Sequence, residues 1–353
     1  MQEKIIAIGI LICLIAANFI TLSVTSMKMY SLTITKGKTG LNNKNKRLSE
    51  ITLIGNGKII YVDDDAEPGG NGSKERPYNR IQDAINAASN GDTIYVYSGK
   101  YYENVILKKS VSLIGEDKYT TIIDGNGKGI VIWIKVSHVN VSGFTVTGSK
   151  AGEWPTSYYG IQVLSQQWYE PPLPKRLTNI HISNCTIEDN EVGLRLYTTS
   201  NSSVKNCEIK DNDHSFLVYE SSHNITVTNC YIHHGGDGIH CWGFKGYIDG
   251  KYRNNFCSNI SITYCNISYN HCEGIYIENC KNVKIHCNNI HDNGYVGIDV
   301  RSSSHVNARF NWWGDTVWQD FFYFLGNKKF FKVRFSYFFP WRMVPVQEAG
   351  IKN

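Results

Sequence analysis

The chain is short of charge: of 353 residues only 19% are Asp, Glu, Lys or Arg, and the formal net charge is +5. That modest balance, with many basic residues near the ends, argues against a nucleic-acid-binding protein, which needs a basic face. Low charge beside 12% aromatic residues also excludes a chain that is mainly disordered. Methionine is scarce, at four, which weighs against a copper site built on thioethers. A regular leucine frame is missing too, and with it the leucine-rich repeat. What the chain does have is 42% hydrophobic residues, 31 Gly and 22 Tyr, enough to bury the core of one large domain or two small ones.

The N-terminus carries one apolar run, Ile5 to Leu22, after Lys4 and before Ser23, Thr25 and Ser26. A basic start, an apolar middle and a small-residue exit describe a secretory signal. At 18 residues the run also suffices for an uncleaved membrane anchor. Residues 1–26 are therefore read as signal or anchor and 27–56, rich in Lys, Asn and Thr, as a linker. On either reading the rest works outside the cytoplasm, touching membrane only through this segment.

Repetition decides the fold. Asn179-Ile-His-Ile-Ser-Asn-Cys-Thr-Ile returns as Asn224-Ile-Thr-Val-Thr-Asn-Cys-Tyr-Ile and Asn259-Ile-Ser-Ile-Thr-Tyr-Cys-Asn-Ile, each followed by a Gly-Ile or Gly-Leu strand at Gly193, Gly238 and Gly274. Cys185 to Cys207 is 22 residues, and Cys207 to Cys230 and Gly274 to Gly297 are 23 each. Each unit holds three short alternating strands that cannot bury their own apolar face, so the units must stack. The prediction is an all-β, single-stranded parallel β-helix over residues 57–345, with 346–353 a tail. Asn190, Asn212, Asn270 and Asn293 recur at one turn and are expected in the left-handed conformation. Covers are expected at both ends: a helix with an apolar stripe of Ile81, Ala84, Ile85 and Ala88, ended by Asn90-Gly91, and an aromatic segment from Phe310 through Trp341.

The run Tyr61-Val-Asp-Asp-Asp, then Pro77 to Ile85, then Gly91-Asp-Thr-Ile-Tyr-Val-Tyr resembles the opening of secreted pectin-lyase-like right-handed β-helix proteins. The Asn-x-Cys-x-Ile units are similar to the β-helix repeat of carbohydrate-binding proteins, sugar hydrolases and NosD-like periplasmic copper-binding proteins. The Asn311-Trp-Trp-Gly close is similar to archaeal surface members. The resemblance implies a right-handed coil and leaves function open, because this fold hosts lyases, hydrolases, epimerases, adhesins and inert stalks.

Alternation assigns the faces. In the Gly-Ile-x-Val strand the outward columns read Gln162, Arg195, Leu217, His240, Tyr276, Asp299 and Leu164, Tyr197, Tyr219, Trp242, Glu278, Arg301. Two insertions leave after this strand, Ser165 to Arg176 with Trp168 and Tyr169, and Gly243 to Ser258. They are expected to wall a groove over Arg195, Tyr197, Leu217 and Tyr219. Aromatic platforms flanked by polar groups suit sugar rings, so Arg195, Tyr197, Tyr219, Trp242, Glu278, Asp299 and Arg301 are candidate binders of a polysaccharide. Asp237 and Glu273 share a column on adjacent coils, with His240 and Tyr276 three residues beyond each. These four are the catalytic candidates, as a hydrolytic carboxylate pair. Alternatively His240 or Tyr276 removes a proton beside a uronate carboxylate neutralised by Arg195 or Arg301, as the resemblance to lyases and epimerases implies. The alternatives to this reading are a copper-handling accessory protein and a non-catalytic surface stalk.

Cys185, Cys207, Cys230 and Cys265 form one inward column whose parallel Cβ atoms disfavour disulfides. Cys257, Cys272, Cys280 and Cys287 are placed near turns or in the insertion, with a disulfide among them open. No metal-ligand set is assigned, and Ca²⁺ or copper stays open as a cofactor. His233, His234, His271, Cys272, His286, Cys287 and His291 are the residues a copper reading would use, without a compact motif, and are read as solvated. Asp63-Asp64-Asp65 offers oxygen to Ca²⁺ without the spacing of a calcium loop. Sequons stand at Asn71, Asn140, Asn184, Asn201, Asn224, Asn259 and Asn266, of which Asn71 and Asn201 are expected to be accessible.

Overall fold

The computed structural model describes residues 57–149, 158–166, 174–248, 251–314 and, near the C-terminus, 346, 347, 349 and 350. The expected signal or anchor, the linker, Trp168 and Tyr169 of the first insertion, and the aromatic segment beyond Gly314 lie outside the described residues. No described helix is long and apolar enough to cross a membrane.

Each coil of the chain contributes one short strand to each of three sheets. Ile180–Ser183, Thr186–Glu188 and Val192–Tyr197 make one such circuit. The sheets contain 11, 8 and 8 strands. Every pairing among them is parallel and joins a coil to the next, so the architecture is a parallel β-helix. Ile187, Ile209, Ile232, Ile267 and Ile290 are register partners in succession and are fully buried. Each contributes about 1.5–3 kcal/mol by leaving water, and β-branching suits the half-extended backbone that places them there.

The cysteine column is inward as expected: Cys185, Cys207, Cys230 and Cys265 are fully buried. Their thiols donate to carbonyls two residues earlier, at Ser183, Lys205, Thr228 and Thr263, 3.2–3.4 Å away. The placement of Cys257 and Cys280 near turns is corrected. They are register partners, fully buried like Cys241, because the strand that follows the insertion begins at Cys257 rather than beyond it. All nine described cysteines are free.

The asparagine expectation is also corrected. Positive φ falls one residue earlier, on Asp189, Asp211, Tyr269 and Asp292. Asn190, Asn212 and Asn270 are buried instead. Asn212 Oδ1 accepts from the Asn190 backbone N–H at 3.0 Å and from its Nδ2 at 3.1 Å, while Asn212 Nδ2 donates to the Ile187 and Lys210 carbonyls. Asn270 and Asn293 repeat the arrangement. This ladder supplies partners to backbone groups that a turn leaves unpaired inside the protein. It also explains the repeat's glycine: a Cβ at Gly193 would sit 2.8 Å from Asn212 Nδ2, and one at Gly274 would sit 2.7 Å from Asn293 Nδ2. The left-handed positions recur elsewhere, on Asn179, Asn201, Asn224, Asn259 and Asn282. Of these, the sequons Asn201, Asn224 and Asn259 are exposed, as is Asn71, so access extends beyond the two expected.

The N-terminal cover is the helix Ile81–Ala87, burying Ile81, Ala84 and Ile85. It ends before Asn90-Gly91. No neighbouring side chain caps its start. The buried Glu103 carboxylate does so from the next coil, accepting from the Ile81 and Gln82 N–H groups at 2.7 and 3.0 Å. At the other end Trp313 is buried and packs over Gly297.

Candidate functional site

The third sheet carries the site. Its strands Tyr159–Val163, Val192–Tyr197, His214–Tyr219, Ile239–Trp242, Ile275–Glu278 and Ile298–Arg301 lie side by side. Their register aligns Gln162, Arg195, Leu217, His240, Tyr276 and Asp299 as one outward row, as expected. Tyr197, Tyr219, Trp242, Glu278 and Arg301 align as the second.

Outward does not mean solvated along the whole row. Gln162, Arg195 and Leu217 are 0%, 8% and 5% exposed. Leu217 packs with Tyr159 and Val192 in a small apolar cluster outside the main core, flanked by Tyr219. Arg195 is held by three tyrosine rings, 5.2, 4.6 and 5.6 Å from Tyr159, Tyr197 and Tyr219, and donates to the Tyr159 hydroxyl. The amide of Gln162 and Nε of Arg195 have no hydrogen-bond partner among the described residues. Asp299 at the far end is buried again, and the more open part of the row is His240 and Tyr276, both half-buried.

There the rings form a continuous strip. Tyr219 meets Trp242 at 5.5 Å and His240 at 5.3 Å, His240 meets Tyr276 at 4.5 Å, and Trp242 meets Phe244 at 6.0 Å. Phe244 opens an antiparallel hairpin, Phe244–Ile248 with Lys251–Asn255, which is the second insertion. Asn255 ties it to the Glu220 carboxylate at 3.1 Å, and Asn279 donates to the Asn254 side-chain oxygen at 3.0 Å. The base of the first insertion is closed by the Lys175 N–H donating to Ser165 Oγ at 2.8 Å.

Below the strip sits the carboxylate group. Ile239 and Ile275 are register partners, which puts Asp237 and Glu273 on adjacent coils at the same corner. Asp237 Oδ2 is 3.2 Å from His240 Nδ1 and 3.9 Å from His214 Nδ1. Oxygen atoms of Asp237 and Glu273 and the Cys272 sulfur all lie within 4.8 Å of one another. Burial pushes the Asp237 carboxyl up, but the hydrogen bond and charge of His240 outweigh it and hold the group below its ordinary value. Glu273 is raised, by burial first and then by the charge of Asp237. The environment therefore pushes the two carboxyls in opposite directions, the kind of division that separates a proton acceptor from a proton donor.

The remaining candidates are more firmly tied. Tyr276 donates to Glu278 at 2.7 Å, and burial with that bond raises its phenol, which makes it a poor proton acceptor. Burial pushes the Tyr197 and Tyr219 phenols up to about 12. Arg301 donates through Nε to Asp299 at 2.8 Å, so its charge is already partnered. Two residues at the site were missed in the sequence, His214 and Cys272 as a neighbour of Asp237. Counting one coil back from Gly238 to Ser215 would have placed His214 beside Asp237.

Of the copper set, His233 and His234 meet, with their Nδ1 atoms 2.6 Å apart, but among the described residues no three of its members group. His233 is buried and stacked on Tyr231 at 3.8 Å, not solvated, and His234 stacks on Tyr269 at 5.5 Å. His291 bonds Asp292 at 2.7 Å, and His271 Nδ1 lies 2.8 Å from the Gly235 carbonyl. Among the described residues only Asp237–Cys272–Glu273 and Asp63–Asp64–Asp65 group metal-ligating atoms this closely.

Three parallel sheets wound about one core, with a polar corner and an aromatic strip on the third, define a right-handed parallel β-helix. Residues 176–256 match the family described as right handed beta helix region. A cell surface glycoprotein of Methanothermus fervidus is 29% identical over 175 residues, 49% of this chain and 28% of that protein. The match thus spans less than a third of that relative. A GH136 lacto-N-biosidase from Eubacterium ramulus is similar in structure, with TM-score 0.52 and 14% identity over 76% of this chain and 61% of that one. Pectate lyase Pel9A has TM-score 0.47 and 14% identity, over 70% of this chain and 72% of that one. At such identities the likeness shows the fold alone.

Proposed function

We propose that this chain is an extracytoplasmic protein that binds a polysaccharide along the third sheet and processes it by acid–base chemistry at Asp237, His240 and Glu273. The observation that carries the reading is the contact of the Tyr219–Trp242–His240 strip with the split carboxylate pair. Rings spaced by one coil, about 4.8 Å, offer successive flat faces to the C–H surfaces of sugars, and hydroxyls find partners on half-buried Glu278 and exposed Arg301. His240 is the base and Asp237 orients its ring and stabilises its charge when a proton arrives. Glu273, protonated to higher pH, is the acid.

The carboxylate spacing disfavours inverting hydrolysis and is compatible with proton abstraction or a retaining mechanism. An inverting pair stands about 6.5–9.5 Å apart to admit a water, whereas oxygens of Asp237 and Glu273 approach within 4.8 Å. The surface location is supported by the resemblance to a cell surface glycoprotein. The test is a panel of acidic and neutral polysaccharides scored for retention and for new unsaturated or reducing ends. Unsaturated ends lost in His240→Ala support the full reading. Retention without cleavage reduces it to a binding module, and neither result on any polymer overturns it.

A further inference from the structure

We propose that Asp237, Cys272 and Glu273 form a binding site for a divalent cation of the zinc class. Three ligand types converge at one corner: two carboxylate oxygens and a thiol sulfur, each within 4.8 Å of the others. Zinc holds sulfur at about 2.3 Å and carboxylate oxygen at about 2.0–2.2 Å, so tetrahedral ligands lie about 3.4–3.6 Å apart. Atoms within 4.8 Å of one another close on a common ion by side-chain rotations of about 1 Å.

The scaffold is set before any ion arrives. Cys272 N–H donates to the Gly236 carbonyl at 3.1 Å, Gly238 N–H to the Glu273 carbonyl at 3.0 Å and Ile239 N–H to the Gly274 carbonyl at 2.9 Å. These bonds lock the two coils together on either side of the three side chains. Charge points the same way. Neither Asp237 nor Glu273 has a Lys or Arg in salt-bridge range among the described residues, and only His240 and His214 face Asp237. His240 is placed as the neighbour that orients a ligating carboxylate.

Donor chemistry selects the ion. Calcium and magnesium take oxygen ligands; a thiolate beside two carboxylates suits zinc, with the fourth position open to water. Cys272 is suited to the task by exposure: seven of the nine described cysteines are buried, and the other half-exposed one, Cys287, joins no such group. Binding releases the Cys272 thiol proton and any proton on the carboxylate pair to solvent. A ligating Glu273 carboxylate holds no proton, so the metal site and the acid role of Glu273 are alternatives at this corner, and metal uptake, measured without sugar, tests the first by itself.

The test is Co²⁺ substitution and Zn²⁺ titration of the full chain. Wild type is expected to bind one ion and to show a thiolate-to-cobalt charge-transfer band. Cys272→Ser should lose the band and weaken Zn²⁺ binding at least about tenfold, a loss of about 1.4 kcal/mol. Glu273→Gln should weaken binding while keeping the band, and Cys287→Ser should change neither. Wild type without a band, a band that survives Cys272→Ser, or Ca²⁺ binding as tight as Zn²⁺ would each overturn the assignment.

Discussion

His240 Nδ1 lies 3.2 Å from Asp237 Oδ2, at the corner where one coil turns into the third sheet. The backbone carries both residues on the same approach to the strand, and Glu273 reaches them from the neighbouring coil. Asp237 is held below its ordinary value and Glu273 above it. The two carboxyls therefore have opposite effects on stability as pH changes.

A depressed carboxyl contributes stability above its unfolded value, about 3.9 for aspartate, and that stability is lost as pH falls through the lower folded value. Asp237→Asn should thus be less stable than wild type at neutral pH and approach it in acid. A raised carboxyl works in reverse: its stability is present in acid and lost as pH rises. Glu273→Gln should be more stable than wild type at neutral pH, and the gain should vanish below about 4.3. Urea midpoints measured across pH check both, and curves that run parallel to wild type would contradict the split.

Asn212→Ala removes the acceptor of two Asn190 groups and the donor to two carbonyls in a dry turn. Stranding a buried polar group costs about 1–3 kcal/mol, and because Asn190 Nδ2 keeps its bonds to the Val146 and Glu188 carbonyls, a loss of about 3–5 kcal/mol is expected by urea denaturation. Asn201→Ala, on an exposed turn, should cost less. Equal losses would mean the buried ladder is not what holds the turn.

Trp242 is half-buried between Tyr219 and Phe244. Trp242→Ala should weaken retention on the polymer that binds wild type by about tenfold, given about 0.5–1.5 kcal/mol for an aromatic pairing beyond its area. Circular dichroism should be unchanged. Undiminished retention would move the glycan off this strip.

Native thiol labelling should reach Cys272 and Cys287 among the described cysteines, and the other seven only after unfolding. Mass mapping of the labelled peptides checks this. Labelling of Cys257 or Cys280 in the folded protein would return them to the surface, where the sequence reading had put them.

The fold was legible because a period of 22–23 residues and strict alternation leave the apolar faces only one way to be buried, by stacking coil on coil. From that register followed the outward rows of His240, Tyr276 and Trp242 and the pairing of Asp237 with Glu273. What periodicity does not encode is depth. Arg195 and Leu217 occupy outward positions, yet Arg195 lies within rings from three strands and Leu217 within an apolar cluster. Nor does it encode which residue of a turn takes positive φ. The buried Asn side chain bonds the coils on either side of it, so its neighbour takes the left-handed geometry.

The amino-acid sequence by itself determined the coil, its register and the residues offered on each face, because these depend on spacing along the chain. Tertiary structure alone decided which of them meet. Glu103 caps a helix twenty-one residues before it, Cys257 and Cys280 lie inside, and Cys272 joins two carboxylates at a corner. Such meetings depend on side-chain direction at turns, where the chain leaves alternation and only the packed neighbours set the angle.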